Sequence, residues 1–328
     1  YDVSEVAKDM NIIGESQILK DCIEDALRYA SFENPVLIEG ESGSGKQSIA
    51  ELLHRKSKRK EADLFTLDGS RLNSTLASSE LFGHKEGAFT GAVKDYDGAI
   101  SKANGGTLFI DEVHHVPKDS QAKLLRVVET GKYTMVGDNE EKSADVRFVF
   151  ATNVDLGQKV RDDEFLHDLL ARIGENRIHV PPLRARKGDI PLLVRHFIGQ
   201  FYKQKTDKSP PETGSDIIDE FMNYDWPGNI RELGGVVENL LALSVPEPLT
   251  LEDVREKMQR KRGQYLEDLY VSLPMPPHGM RMKDHLKNIK HHTMYKARPF
   301  YKTAKEAAEA IGVAESAFSH SDYKDFEA

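Results

Sequence analysis

The chain has 328 residues, enough for two or three domains with a sizeable core; 30% of them are charged, and no apolar run is long enough to cross a bilayer. A single cysteine, Cys22, rules out an internal disulfide framework and any zinc site built from several thiolates, which fits a reducing cytoplasm. Lys and Arg number 45 against 54 Asp and Glu, a formal net charge of -9 that argues against a surface coated by nucleic acid but leaves room for a small DNA-reading module. The chain begins at Tyr1 without a signal-peptide pattern, and an upstream segment is expected.

In chain order, the first half alternates short apolar runs with helical patterns. Pro35–Glu39, Leu64–Leu67, Thr107–Ile110, Val146–Ala151 and Ile178–Val180 are the expected strands, short and apolar as in a parallel sheet covered on both faces. Residues 131–145, centred on Val136-Gly-Asp-Asn139, read as a hairpin inserted before the fourth strand. From Pro181 the pattern is helical, over Asp189–Lys203, Ser215–Tyr224 and Asn229–Ser244. Charged residues from Gln259 then give way to Leu273-Pro-Met-Pro-Pro277, a stiff linker composition. The expected organisation is an α/β subdomain over 1–180, a helical subdomain over 181–258, a linker over 259–280 and a small all-α unit over 281–328.

The strongest local signal is Gly40-Glu-Ser-Gly-Ser-Gly-Lys46, placed directly between a strand and a helical pattern. Glycines let backbone N–H groups wrap phosphates, Lys46 reaches the β- and γ-phosphates, and the helix N-terminus adds its dipole. Gly40, Glu41, Ser42, Gly43, Ser44, Gly45, Lys46, Gln47 and Ser48 are therefore the expected ATP-binding loop, with Gln47 where a Mg²⁺-binding Ser or Thr commonly stands. Gly105-Gly-Thr-Leu-Phe-Ile-Asp-Glu112 supplies the second half of the site. In this Walker B pattern Asp111 holds Mg²⁺ and Glu112 polarises the attacking water, two jobs that require adjacent acids at a strand end. Asn153, after the next strand, is placed to orient water or touch the γ-phosphate. Arg172 is placed as an arginine finger toward a neighbouring subunit, and Arg231, in Trp226-Pro-Gly-Asn-Ile-Arg-Glu-Leu233, as a nucleotide contact coupling the helical subdomain to the bound state.

Gly87-Ala-Phe-Thr-Gly-Ala92, preceded by Glu80-Leu-Phe-Gly-His84, resembles the GAFTGA signature of the bacterial enhancer-binding proteins, AAA+ activators of sigma-54 RNA polymerase. The similarity runs in order through Ile12-Ile-Gly-Glu-Ser16, the P-loop, GAFTGA, Walker B, Ala151-Thr-Asn153, Pro181-Pro-Leu-Arg184 and Trp226–Leu233. The resemblance implies an AAA+ P-loop NTPase core with a parallel sheet, then an α-helical lid and a small C-terminal helix-turn-helix-like domain. It also implies Ile13 in the nucleotide site, Asp111 and Glu112 at the metal, and a cytoplasmic bacterial protein that is a hexameric ring when active and a dimer when not. Gly87, Ala88, Phe89, Thr90, Gly91 and Ala92 would engage the sigma-54 RNA polymerase holoenzyme. By its residues alone the loop is a glycine-hinged hairpin that exposes Phe89 in at least one state.

Three positions depart from the family pattern. Gln47 stands where Glu commonly follows the lysine, Leu166 replaces the first of two arginines, and Asp68 replaces an asparagine that switches the catalytic glutamate. A carboxylate at 68 cannot donate an amide hydrogen bond to Glu112. Two readings of function stay open: an ATP-hydrolysing sigma-54 activator, or an ATP-binding, DNA-binding regulator that acts without productive hydrolysis or without sigma-54.

Lys305–Phe318 resembles a Fis-type helix-turn-helix, with Ala308 and Gly312 at the tight turn. Its second helix is acidic where family members carry arginines, so binding to double-stranded upstream DNA and a small packing bundle are both compatible with it. Residues 281–328 hold nine basic against seven acidic residues, a net +2, which places -11 on residues 1–280. His291 and His292, without acid or thiol partners at ligand spacing, read as a solvated face.

Overall fold

A computed structural model describes residues 2–72, 76–205, 209–244 and 249–271. Helices α1 (Val3–Asp9) and α2 (Gln17–Ala30) precede β1 (Val36–Glu39), and α3 (Lys46–Arg55) leads to β2 (Leu64–Asp68). Short helices α4 (Ala77–Phe82) and α5 (Ala99–Lys102) lead to β3 (Thr107–Asp111). After α6 (Lys118–Thr130), the strands β4 (Lys132–Tyr133) and β5 (Lys142–Ser143) pair antiparallel in the expected hairpin. β6 (Arg147–Thr152), α7 (Leu156–Arg161), α8 (His167–Ile173) and β7 (Arg177–His179) complete the α/β part.

The five strands read from the apolar runs form one parallel sheet in the order β2-β3-β6-β1-β7. The alternation along each strand sorts its side chains between two cores. Phe148 and Phe150 of β6 pack with Leu108, Ile110, Leu124 and Leu169 on one face, while Val149 and Ala151 pack with Ile23, Ile38, Ile49 and Leu53 on the other.

One charged side chain is folded into this apolar frame. Arg147 is 0% exposed, and its guanidinium donates to the carbonyls of Tyr29 (2.8 Å), Ala30 (3.2 Å) and Leu53 (3.1 Å). These oxygens close the last turns of α2 and α3, where helix carbonyls lack partners and the dipole favours a cation. Burial lowers the Arg147 pKa, but guanidinium is so strong a base that the charge persists.

The described residues pack as two units, one from residues 2–189 with 228–231 and one from residues 190–227 with 232–271. Helices α9 (Ile190–Lys205), α10 (Ser215–Met222), α11 (Asn229–Ser244) and α12 (Leu251–Val271) build the second, except that α11 begins with the first unit. Trp226, the chain's one tryptophan, is its centre: fully buried, edge-on to Tyr224 at 5.0 Å, with its indole N–H donating to the Phe221 carbonyl at 2.8 Å. The expected linker over 259–280 starts inside α12, which stays helical through Val271. Gln259–Val271 is made mostly of strong helix formers, and the first proline comes only at Pro274. The expected 281–328 unit and the Pro-rich run before it lie outside the described residues. Among the described residues no helix is long and apolar enough to cross a membrane.

Replacing Arg147 by Met leaves three buried carbonyls without their donor. The expected cost is about 3 kcal/mol, seen as a lower urea midpoint with an unchanged slope.

Candidate functional site

Register brings the sequence motifs to one edge of the sheet. Glu39 lies opposite Thr152 across β1 and β6, and Asp68 lies opposite Asp111 across β2 and β3. The P-loop, the acid pair and Asn153 therefore all leave the sheet at the carboxyl ends of neighbouring strands, the position where open α/β sheets bind ligands.

Lys46 is the first residue of α3. Its ammonium is buried, donating to the carbonyls of Gly40 (2.9 Å) and Glu41 (3.2 Å). Burial pulls its pKa down while Glu112 and Asp111 hold it up. The rest of the loop is strapped by a segment distant in sequence. Arg231 donates to Ser42 Oγ (2.9 Å), Ile230 N to the Gly43 carbonyl (3.0 Å), and Asn229 Nδ2 to Glu41 Oε2 and the Ser42 carbonyl (both 3.1 Å). Arg184 forks onto the Glu41 carboxylate (2.6 and 2.8 Å), and Arg186, buried, donates to the Ser44 carbonyl (2.7 Å). The Arg184 hydrogen bond is the main reason that Glu41 stays ionised below the usual carboxylate range. Arg231 thus meets the P-loop at Ser42, while Asn229, legible in sequence only as a helix start, and Arg184, legible only as part of a motif, prove to grip the same loop.

Glu112 sits in the left-handed region (φ 51°, ψ 48°), a conformation that non-glycine residues adopt at a cost and that recurs at functional sites. Its N–H is capped by Asp111 Oδ1 (2.9 Å). Gly69 makes room for it: a Cβ there would lie 2.5 Å from the Glu112 carbonyl oxygen. Burial is the main cause of a raised Glu112 pKa; Asp111 and Asp68 add to it and Lys46 and His115 oppose it. Glu112 Oε2 is buried and, among the described residues, has no hydrogen-bond partner.

Facing it is a residue that the motif reading missed. His114 Nε2 lies 3.5 Å from Glu112 Oε2, and its Nδ1 lies 3.2 Å from Thr152 Oγ1 at the end of β6. Burial above all pushes the His114 pKa down to about 4, so the ring is neutral. The pattern Asp-Glu-Val-His-His was the available signal.

The departures from the motif pattern each find a local partner. Asp68 accepts from Ser70 N (2.9 Å) and Oγ (2.6 Å) and lies 3.3 Å from Arg71, so its carboxylate is tied into its own turn and held ionised. Gln47 is exposed and donates to Glu51 (3.2 Å) along α3. Leu166 packs against the core, its N–H on Gln121 Oε1 (2.8 Å). Ile13 and Ser48 are half-buried, Asn153 is exposed just past β6, and Arg172 pairs with Glu175 at 3.5 Å.

Residues Gly87–Ala92 form a closed turn rather than an open hairpin. Gly87 (φ 80°) and Gly91 (φ 104°) take the left-handed positions, and Gly87 N donates to the Ala92 carbonyl at 2.8 Å. Phe89 is half-buried, edge-on to His84 at 4.9 Å, while Thr90 is exposed and Ala88 half-buried. The turn is tied to the β4–β5 hairpin by Lys85 N donating to the Val136 carbonyl (3.0 Å).

The residues fit a nucleotide with its cation. A lysine held on loop carbonyls, a buried Ser44 Oγ and a buried Glu112 oxygen without partners, and two adjacent carboxylates leave donors and acceptors for phosphate and a hard cation.

Residues 12–179 match the family model of the sigma-54 interaction domain, and residues 184–268 match that of the AAA+ ATPase lid domain. The transcriptional regulatory protein ZraR of Escherichia coli K12 is 40% identical over 241 residues, covering 74% of this chain and 54% of its own length. A signal-transduction and transcriptional-control protein of Clostridium beijerinckii is 40% identical over 235 residues, covering 71% of this chain but 37% of its own. The chain thus spans about half or less of the length of these relatives. The crystal structure of NtrX from Brucella abortus in complex with ADP superposes with a TM-score of 0.71 at 25% identity, covering 99% of this chain and 72% of that one. The chain belongs to the bacterial enhancer-binding proteins, the sigma-54 activator family with an AAA+ ATPase core and a helical lid.

Proposed function

We propose that the protein hydrolyses ATP and uses the cycle to remodel sigma-54 RNA polymerase at a closed promoter complex, working as a ring of subunits in the bacterial cytoplasm. The observation that carries this is the grouping of Lys46, Asp111 and Glu112, intact in type and converging at one sheet edge. Lys46 and the loop N–H groups hold the phosphates, and Asp111 holds Mg²⁺, which neutralises phosphate charge when bound. Glu112, whose Oε2 has no hydrogen-bond partner among the described residues, takes the proton of the attacking water. Asn153 orients that water, and Arg172 reaches a neighbour's nucleotide once its weak, half-exposed pairing with Glu175 is released. Ile13, Arg231 and the rest of the P-loop complete the ATP site. Residues 87–92 make the sigma-54 contact, with Phe89 exchanging its His84 contact for the partner. Residues 281–328 bind upstream DNA.

A second reading, nucleotide binding without productive turnover, draws on Gln47 and Asp68, whose side chains are engaged within their own elements. ATP turnover against protein concentration separates the two. Shared sites give a cooperative rise, and a flat line near zero would favour the second reading.

Glu112→Gln is expected to lower turnover at least about a hundredfold while nucleotide still binds. Because the folded-state pKa of Glu112 is raised, its ionisation costs stability above the ordinary carboxylate range, and that cost fades as pH falls. The variant should therefore gain more in Tm at pH 8 than at pH 5. Phe89→Ala should keep turnover within about threefold of the parent but lose retention of sigma-54 with a transition-state analogue on native gels.

A further inference from the structure

We propose that Glu112, His114 and His115 bind a transition-metal ion of the Zn²⁺ class, and that the bound ion withdraws the Glu112 carboxylate from catalysis. The inhibitory half rests on the ATPase reading above; the binding half does not.

The turn over Val113–His115 follows directly on Glu112, and one ligand atom from each of Glu112, His114 and His115 lies within 4.8 Å of the other two. Val113, fully buried, anchors the turn in the core, so the convergence is fixed by packing and not by exposed chain. The hydrogen-bond network assigns the His114 proton. Thr152 Oγ1 lies within bonding distance of the Val154 carbonyl (3.3 Å) and accepts from the Val154 N–H (3.2 Å), which leaves it to accept from His114 Nδ1–H. The lone pair of Nε2 then faces the buried Glu112 Oε2 at 3.5 Å, acceptor against acceptor, and Oε2 has no hydrogen-bond partner among the described residues. Such a pair is repulsive until a cation lies between. Bonds of about 2.0–2.2 Å at a tetrahedral centre separate two ligand atoms by roughly 3.4 Å, close to the distance found.

The donor set decides which cation. Two imidazoles and one carboxylate suit zinc, cobalt, nickel or copper, whereas Mg²⁺ prefers oxygen ligands and retains water. Thr152 supplies the outer contact that orients a ligating histidine, exposed His115 opens the site to solvent, and three protein ligands leave a fourth position for water. The nucleotide's own cation and this one would therefore be held by different chemistry only a residue apart.

The test uses the full chain with Mg²⁺ in excess. Zn²⁺ titration by calorimetry and the visible bands of added Co²⁺ should report about one tight ion per chain in a tetrahedral site. The chain has 12 histidines, so location is settled by variants. His115→Ala, at an exposed position, and His114→Gln should each weaken binding at least about tenfold and remove the Co²⁺ bands. Added Zn²⁺ should lower ATP turnover of the parent at least about tenfold, while in His115→Ala the ratio with and without Zn²⁺ stays within about twofold. Unchanged affinity in both variants would overturn the site, and Zn²⁺ bound there without effect on turnover would overturn the inhibition. A chain that binds Zn²⁺ here but hydrolyses no ATP in metal-free buffer would defeat the ATPase reading alone.

Discussion

Three charged groups share less water than each would have alone at the carboxyl edge of the sheet. Lys46 is buried and Glu112 partly so, with Asp111 beside them, and each is tolerable because the others are present. Taking one away leaves its partners as uncompensated charge, which is why such groups are stable as a set and fragile singly. Strand order sets their spacing. β1, which feeds Lys46, and β3, which ends in the acids, are separated by β6, so about 10 Å of sheet lies between their ends. No lysine side chain closes that gap completely, and the polar atoms left over, on Ser44 and Glu112, are those a phosphate and its cation would satisfy.

Holding this set in place takes atoms from far along the chain. The P-loop has glycines where backbone must turn, and on its own it would be loose. Its outer side is gripped by Asn229, Ile230 and Arg231, its start by Arg184 and its end by Arg186. Residues 228–231, which include the first three of α11, belong with the α/β unit, whereas the rest of that helix does not.

Local patterns were readable from sequence and long-range satisfaction was not. The central strands β1, β3 and β6 are visible as apolar runs because a strand buried on both faces does not alternate. The P-loop is visible because strand, glycines, lysine and helix follow one another directly. Arg147 is different: a charge within Val146–Ala151 looks like a surface residue, and only the packing of α2 and α3 shows that it closes two helix ends. His114 was equally hidden, since its partners are Glu112 nearby and Thr152 on a strand 38 residues on. Charge composition from Gln259 hides the helix that continues through Val271, because the residues that make the run polar are also strong helix formers.

The departures from the family pattern fall in this second class. Asp68, Gln47 and Leu166 look in sequence like losses of function, yet each side chain or N–H is engaged locally, and Asp68 still adds to the raised pKa of Glu112. Of the three, Asp68 alone lies on β2, and its carboxylate offers Glu112 no hydrogen-bond donor from that side. On the β6 side, Thr152 lies 3.2 Å from His114 Nδ1, and His114 Nε2 lies 3.5 Å from Glu112 Oε2. The backbone of Glu112 is fixed by its left-handed conformation, by the cap from Asp111 and by the close approach of Gly69. With the backbone fixed, only the side-chain torsions of Glu112 can respond to a change at the sheet edge, and His114 is the neighbour against which they would move.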